Sequence, residues 1–430
     1  MADRPRMTYL SQNRSVHRVV LSNGMVVIVT ENPAADIVAA RILVRAGGRY
    51  ETPKQAGIAN LLSAVLTKGT ERLSSQDIAE KVESLGANLG SDAASDYCLL
   101  GFKAVSADFV DLLTIAAEIL RSPTFPEAEV ELERRLAIQG IRSMQEQPFT
   151  IAYQQLRQAL YGSHPYAMSG IGTEETVGQL TRDDLVAFYQ HYYRPDQMVV
   201  SLAGRLRAEE AIAQVEKAFG DWRSPTDQAV VAQIDASDAP AAEVPDRVIT
   251  VQDTQQVIVM LGHLAASVHQ SDYVPLKLIS TYLGNGLSSR LFVELREKRG
   301  LAYDVSAIYP TRVDWSHFIT YMGTAPENVA IAIDGLRHEV MQVCTQALSA
   351  EDLQIAKNKL LGQYALGKQT NGQIAQLLGW YEILGLGPQF DETFQQDVAA
   401  VSPETVQAIA QRYLATRPCI SLVGPKDAVT

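Results

Sequence analysis

Few residues in this 430-residue chain combine a reactive side chain with a spacing that could do chemistry, and the clearest are Arg296 and Tyr303. The turn Asn285–Gly286 and a serine cap after it predict a helix that runs to about Lys298, and a strand is predicted over 302–308. A guanidinium and a phenol would then emerge beside one helix–strand junction. An Arg also suits a helix C-terminus and a Tyr suits a strand, so these two residues alone favour an ordinary structural explanation.

Metal ligands and nucleophiles are poorly represented. The His residues never stand three or four positions apart, the spacing at which two helical His can hold one metal ion; they are His17, His164, His191, His263, His269, His317 and His338. Ser63 could be imagined as a nucleophile, but no His or acid is placed near it in the sequence. The Cys residues are odd in number and lie in apolar sequence, which predicts buried free thiols in a reducing compartment: Cys98, Cys344 and Cys419.

The segment Gly57–Thr70, GIANLLSAVLTKGT, predicts an amphipathic helix. Its apolar side chains would face a core, and they are Ile58, Leu61, Leu62, Val65 and Leu66. In the inverted zincin motif H-x-x-E-H, two His one helical turn apart hold Zn²⁺ and the Glu acts as general base. Asn60, Ser63 and Ala64 stand at those three places.

The residues around this helix resemble those of pitrilysin-type (insulinase-type) zinc peptidases. The stretch Ala40–Thr70 is similar to the strand, loop and helix that contain H-x-x-E-H in that family, and the matching positions are Gly57, Ala59, Leu62, Lys68, Gly69 and Thr70. The resemblance implies a Glu ligand about 75 residues downstream, where this chain has Gly140. Because a catalytic zinc site needs three protein ligands, this chain is not expected to bind zinc there. Glu133 matches another Glu of the family, but with no His to orient it is interpreted as a solvated helix carboxylate.

The same resemblance gives the Arg/Tyr pair a role. An Arg seven residues before a Tyr, after an S-S-R-L-F-type helix start, resembles the pair that the C-terminal half of these peptidases presents to the zinc site. It implies that Tyr303 donates a hydrogen bond to the developing oxyanion and that Arg296 holds a substrate carbonyl or carboxylate. Arg290 and Arg299 are nearby competitors, although the spacing favours Arg296.

The family also binds extended peptide along an edge strand, which here would lie within Gly86–Tyr97. Such a strand holds peptide through backbone hydrogen bonds. The resemblance makes Gly90, Ser91 and Arg296 the candidate substrate-binding residues. Gly90 and Ser91 replace an Asn-Ala of the family, which puts substrate contact in this half in doubt.

Composition limits the partners. With 47% hydrophobic and 20% charged residues the chain is expected to be globular, and a net charge of −12 argues against nucleic acid or an anionic membrane as the main partner. Proteins, peptides and small molecules remain. No window approaches the length of a membrane span, and the N-terminus has no apolar run typical of a signal peptide. We expect a soluble cytoplasmic protein with no membrane partner.

The two halves of the sequence look like copies of one plan. Leu180–Gly204 and Val401–Gly424 each contain a polar cap, an amphipathic helix ending in a Tyr, a Pro-bearing turn and a short apolar strand, about 221 residues apart. Phe125–Ile141 and Leu348–Tyr364 form a second helical pair at a similar offset. We predict two α+β halves at 1–222 and 246–430, with a linker at 223–245 that is rich in Ala, Asp and Pro.

Each half is predicted to pack helices on an open, mostly antiparallel mixed sheet. The resemblance implies that the halves face each other as a clamshell around a peptide chamber. Our leading hypothesis is the metal-free subunit of a two-chain, processing-peptidase-like enzyme. A zinc-bearing H-x-x-E-H paralogue would be the heterodimer partner, zinc would sit in that partner and not in this chain, and the substrate would be an unstructured peptide.

Two other hypotheses stay open. One is a non-enzymatic scaffold or peptide-binding protein similar to the core subunits of respiratory complexes. The other is an isolated hydrolase that uses an unrecognised site.

Overall fold

The computed structural model describes residues 6–11, 14–224 and 244–430. Most of the predicted linker at 223–245 falls outside the described residues. The strands are β1 (Arg6–Ser11), β2 (Arg14–Val20), β3 (Val26–Glu31), β4 (Ile37–Val44), β5 (Asn88–Ala93), β6 (Cys98–Val105), β7 (Met198–Gly204), β8 (Arg247–Val251), β9 (Val257–Ala265), β10 (Asp304–Ile308), β11 (Ser316–Thr324) and β12 (Cys419–Gly424).

The helices lie between these strands, singly or in consecutive runs. They are α1 (Ile58–Val65), α2 (Ser75–Ser84), α3 (Phe109–Arg121), α4 (Glu127–Gln145), α5 (Pro148–Tyr161), α6 (Glu174–Gln179), α7 (Arg182–Tyr192), α8 (Ala208–Phe219), α9 (Tyr273–Gly284), α10 (Val329–Thr345), α11 (Ala350–Leu366), α12 (Asn371–Ile383), α13 (Phe390–Ala400), α14 (Pro403–Leu414) and α15 (Lys426–Val429). A π-helix, Phe292–Glu297, lies between α9 and β10.

The chain divides into two compact units. The first takes its described residues from Met1–Ile141, Ser169–Ala232 and Ala365–Thr393, and the second from Arg142–Met168, Gln233–Tyr364 and Phe394–Thr430. The units therefore differ from the consecutive stretches 1–222 and 246–430, because each includes one helical segment from the other part of the sequence.

Each unit contains one open mixed sheet, as predicted. The order in the first is β1-β2-β3-β7-β4-β6-β5, and in the second β10-β11-β9-β12-β8. In the first sheet only β3 and β7 run parallel, and in the second only β8 and β12 do. Read from the parallel pair outward, β3-β7-β4-β6-β5 and β8-β12-β9-β11-β10 have the same order and the same strand directions. The topology confirms the α+β fold and the internal repeat; the clamshell arrangement stays a prediction.

The exchanged helices occupy equivalent places in the two copies. In the first unit α12 packs on β4 and β7, and in the second unit α5 packs on β9 and β12. Gly379 lets α12 lie close to its sheet, since a Cβ there would come within 2.6 Å of the Leu43 side chain. A central sheet with two apolar faces needs a cover on both. In each unit one face is covered by a helix from the other repeat.

The opposite face of the first sheet holds that unit's main core. The predicted apolar face of α1 is confirmed, because all of its members are at most 1% exposed: Ile58, Leu61, Leu62, Val65 and Leu66. The caps predicted from the repeat are confirmed too, since Thr181 accepts from the Asp184 N–H and Ser402 from that of Thr405. Within the part of the chain described, no helix has both the length and the apolar character needed to cross a bilayer.

Candidate functional site

Helix α1 is held at its N-terminus by a distant carboxylate. Gly57 precedes the helix with φ of +95° and caps no backbone N–H with a side chain. Instead the Glu51 carboxylate accepts hydrogen bonds of 2.9 Å from the N–H groups of Gly57 and Ala59. Burial raises the pKa of Glu51 to about 7, and the two backbone hydrogen bonds oppose that rise. This carboxylate is therefore used to anchor the helix.

The residues at the positions where the resemblance places the zinc ligands and the base are not of the types that bind zinc. Asn60 and Ala64 are half-buried on α1, Ser63 is buried, and Gly140 is exposed on α4. An amide, a methyl group, a hydroxyl and a residue without a side chain are not the imidazole and carboxylate donors that zinc requires. Nor do His, Cys, Asp and Glu side chains anywhere in the described ranges come together in a group of three able to hold a metal ion.

Ser63 lies among buried groups that cannot activate it. Its hydroxyl is close to the Cys98 thiol and the Tyr193 hydroxyl, and it forms no hydrogen bond within the described part of the chain. Burial raises the pKa of Cys98 to about 12 and that of Tyr193 well above its ordinary value, so both stay protonated at neutral pH. A serine nucleophile needs a neighbouring base, and these neighbours are not bases. The burial of Cys98, Cys344 and Cys419 as free thiols is as predicted.

Glu133 is not the solvated carboxylate expected from the sequence. Its Oε1 lies 2.8 Å from Nζ of Lys68, and the two side chains are only 15% and 29% exposed. Lys68 belongs to the K-G-T end of the degenerate motif. The ion pair links the segment after α1 to α4, so both residues keep a structural role in this chain.

The Arg/Tyr junction lies in the second unit. The segment before it is helical, as predicted, and it takes the π form, since the Lys298 N–H bonds to the Val293 carbonyl five residues back. Arg296 is in its last turn, as predicted. Tyr303 directly precedes the edge strand β10, and its N–H extends the pairing with β11 by bonding to the Gly323 carbonyl at 2.9 Å.

Two of the arginines near this junction, Arg290 and Arg296, differ in their surroundings. Arg290 forms a structural ion pair, because its Nε lies 2.6 Å from the buried Glu339 carboxylate. Arg296 is exposed and stacks its guanidinium 4.8 Å from the Phe292 ring centroid. Tyr303 is 58% exposed. The junction thus presents a guanidinium and a phenol to solvent, and Arg290 is no longer a competitor for the role given to Arg296.

The predicted edge strand is present. Strand β5 ends the first sheet and, among the described strands, pairs only with β6, with Gly90 opposite Gly101 and Ser91 opposite Leu100. Its outer edge leaves backbone groups open for another strand, which is the geometry that β-augmentation uses. Whether Gly90 and Ser91 contact a substrate stays a prediction.

Sequence reasoning missed Glu51 and the Lys68–Glu133 pair. The usual capping signal is a polar residue at the N-cap with a partner three residues later. Glu51 stands six and eight residues before the groups it binds, which no standard spacing indicates. Lys68 and Glu133 are far apart in sequence, so no local pattern could have joined them.

Two family models together match about three quarters of the chain. Residues 26–174 match the family described as insulinase (peptidase family M16), and residues 179–360 match the peptidase M16 inactive domain. An uncharacterized zinc protease of Streptomyces coelicolor is 27% identical over 96% of this chain and 90% of its own length. The zinc protease YmxG of Bacillus subtilis is 25% identical over 95% of this chain and 98% of its own length.

Solved structures show the same fold. A peptidase M16 inactive domain from Pseudomonas fluorescens superposes with a TM-score of 0.86 at 24% identity, covering 99% of both chains. A protease from Helicobacter pylori gives a TM-score of 0.87 at 21% identity, covering 96% of this chain and all of that one. The chain therefore belongs to the insulinase family of peptidases.

Proposed function

We propose that this chain is the metal-free subunit of a two-chain peptidase, and that it supplies Arg296 and Tyr303 to a zinc-bearing partner. The observation on which this rests is a contrast within the chain. Asn60, Ser63 and Ala64 replace every reactive group of the zinc helix, while Arg296 and Tyr303 stay exposed at the junction before β10.

Each group has a role in peptide hydrolysis that its chemistry supports. The Tyr303 phenol donates a hydrogen bond to the oxyanion that forms as the peptide bond is attacked. The Arg296 guanidinium binds a carbonyl or carboxylate oxygen of the peptide and fixes its position. The partner contributes the metal and the attacking water, so neither chain is active alone.

Strand β5 gives the peptide a second place of contact. An unstructured peptide can add to its open edge through backbone hydrogen bonds, and Gly90 offers no side chain to obstruct it. Binding of this kind selects extended segments rather than particular sequences. It suits a subunit that positions substrate for a partner.

The decisive experiment uses the complex. The chain is co-expressed with an H-x-x-E-H paralogue from the same genome, and cleavage of an unstructured peptide is measured for each chain alone and for the pair. We expect activity only in the pair. Tyr303→Phe in the pair is expected to lower kcat about 10²- to 10³-fold, the effect of losing one oxyanion donor.

Matched controls separate this role from general damage. Arg337→Gln changes an exposed arginine on α10 of the second unit and should leave the rate of the pair unchanged, whereas Arg296→Gln should raise KM. Tyr364→Phe removes a phenol hydroxyl elsewhere in the second unit and should also be silent. A zinc subunit that is fully active alone would refute the proposal. Full activity of the Tyr303→Phe pair would favour the non-enzymatic scaffold, which has no use for the phenol.

A further inference from the structure

A cavity of about 800 Å³ lies wholly within the first unit, between β4, β6 and the N-terminal half of α12. This volume is in the range of sites that hold small organic molecules. The cavity is separate from helix α1 and from strand β5, and nothing in the proposed peptidase role uses it.

The charge of the cavity is opposite to that of the protein. Arg41 and Lys103 line it, and none of the described residues in its wall is an Asp or a Glu. The chain as a whole has 49 acidic and 37 basic residues, so a wall with two cations and no carboxylate departs from its surroundings. Two like charges without a counter-charge raise the local anion concentration.

Arg41 is held in place but is not neutralised. Its Nη1 donates to the carbonyls of Ala40 at 2.9 Å and Phe102 at 3.4 Å. Among the residues that the structure describes, no carboxylate forms an ion pair with it, and burial lowers its pKa. The guanidinium keeps Nε and Nη2 available for another acceptor.

Two glycines make room for this guanidinium. At Gly101 a Cβ would stand 3.1 Å from Arg41 Nη1, and at Gly372 a Cβ would stand 3.1 Å from Nη2. A side chain at either position would press on the guanidinium. The space around Arg41 is thus left open on the strand side and on the helix side.

One part of the wall is apolar and aromatic, and it includes Tyr97, Leu99, Leu377 and Trp380. The other part carries uncharged polar side chains, which are Asn32, Gln369, Thr370, Asn371, Gln373 and Gln376. Tyr97 is fixed there by a 3.2 Å hydrogen bond from Gln376 Nε2 to its hydroxyl. An apolar wall with a few well-placed polar groups is the usual character of a small-molecule site.

We propose that this cavity binds a carboxylate attached to an apolar group, with Arg41 on the carboxylate and Trp380 and Leu377 against the apolar part. Arg41 pairs with the two carboxylate oxygens through its planar fork, and Lys103 adds a second positive charge at the rim. A small aromatic acid and the C-terminus of a peptide share this chemistry. The inference does not depend on the proposed function, because it concerns binding by this chain alone.

Calorimetric titration of the isolated full-length chain tests it. The probes are N-acetyl-phenylalanine, its amide, and an N-acetylated Ala-Ala-Ala-Phe peptide with a free or an amidated C-terminus. We expect the acids to bind with Kd below about 1 mM and the amides to bind at least about tenfold more weakly. Binding of the small acid alone identifies a small-molecule site, and tighter binding of the free peptide identifies a C-terminus site.

Variants locate the binding. Arg41→Gln should weaken binding of the acids about 10- to 100-fold, and Lys103→Gln, at an exposed position that leaves the fold intact, should weaken it about two- to fivefold. Arg72→Gln and Lys54→Gln make the same charge changes at exposed positions outside the cavity and should have no effect. Equal binding of acid and amide, binding that survives Arg41→Gln, or no binding of any probe would overturn the proposal.

Discussion

Helix α1 and the Arg296–Tyr303 junction are the two places where the resemblance to the insulinase family predicts chemistry, and they have opposite physical characters. Helix α1 is packed into the core, is anchored by the buried Glu51 carboxylate, and has Ser63 facing a thiol and a phenol. The junction exposes its guanidinium and 58% of Tyr303.

The contrast shows that the residues that stabilise the fold and the residues proposed to act on a substrate lie in different regions of this chain. A helix without metal ligands can still be required for folding, because its apolar face fills the core beneath the sheet. An exposed pair adds little to folding, so a reason for its presence must be sought in a partner or a substrate. Substitutions in the two regions should therefore affect different properties.

The largest expected effect on stability is in α1. Leu62→Ala should lower the free energy of unfolding by about 2–5 kcal/mol, because the side chain is fully buried and its removal leaves a cavity. Leu287→Ala, at a residue 75% exposed close to the junction, should change it by less than about 0.5 kcal/mol. Urea unfolding followed by circular dichroism measures both. Equal effects would mean that the two regions are not distinguished by packing.

The next effect is a pH dependence that belongs to the α1 anchor. The pKa of Glu51 is about 7 in the folded chain, above its ordinary value of 4.5. Between these values the folded state keeps a proton that the unfolded state releases, so this group's contribution to stability falls as pH rises from 4.5 to 7. The loss should be about 3 kcal/mol and should be missing in Glu51→Gln.

The measurement is the unfolding free energy of both proteins across that pH range. Glu80→Gln, at an exposed Glu of the same unit, should follow the wild type at every pH. If Glu51→Gln shows the same pH dependence as the wild type, the carboxyl group titrates normally and the anchor is not buried in the way described.

The smallest effect on stability should come from the junction itself. Tyr303→Phe should shift the unfolding free energy by less than about 0.5 kcal/mol, because the phenol is exposed and its removal leaves no buried group without a partner. Thermal unfolding of the isolated chain measures this. A large loss of stability would show that Tyr303 has a structural role, and the loss of rate expected in the two-chain assay could then not be assigned to chemistry.

Much of the fold followed from local patterns. The repeat, the apolar face of α1 and the caps at Thr181 and Ser402 are expressed in short stretches of sequence, where spacing and residue type decide the local structure. The edge strand β5 was expected only from the resemblance to the family. The helix after Ser289 was predicted without its type, α or π, and it is a π-helix. Periodicity does not distinguish the two over so short a segment.

The exchange of helices could not be predicted from such patterns. The apolar face of α5 or α12 indicates that the helix packs on a sheet. It does not indicate which of the two similar sheets the helix covers. For the same reason the sequence predicted consecutive halves.

The sequence by itself indicated that α1 does not offer a zinc site, since Asn60, Ser63 and Ala64 provide no imidazole, thiolate or carboxylate in any fold. It also determined the repeat and the spacing of Arg296 and Tyr303. Only the tertiary structure decided which charged side chains are bound to groups within the protein and which face a cavity that a ligand could enter. Glu51, Lys68 and Glu133 are bound to partners, while Arg41 faces a cavity without a carboxylate. Such pairings depend on distances between segments remote in the chain, which folding sets and local sequence does not.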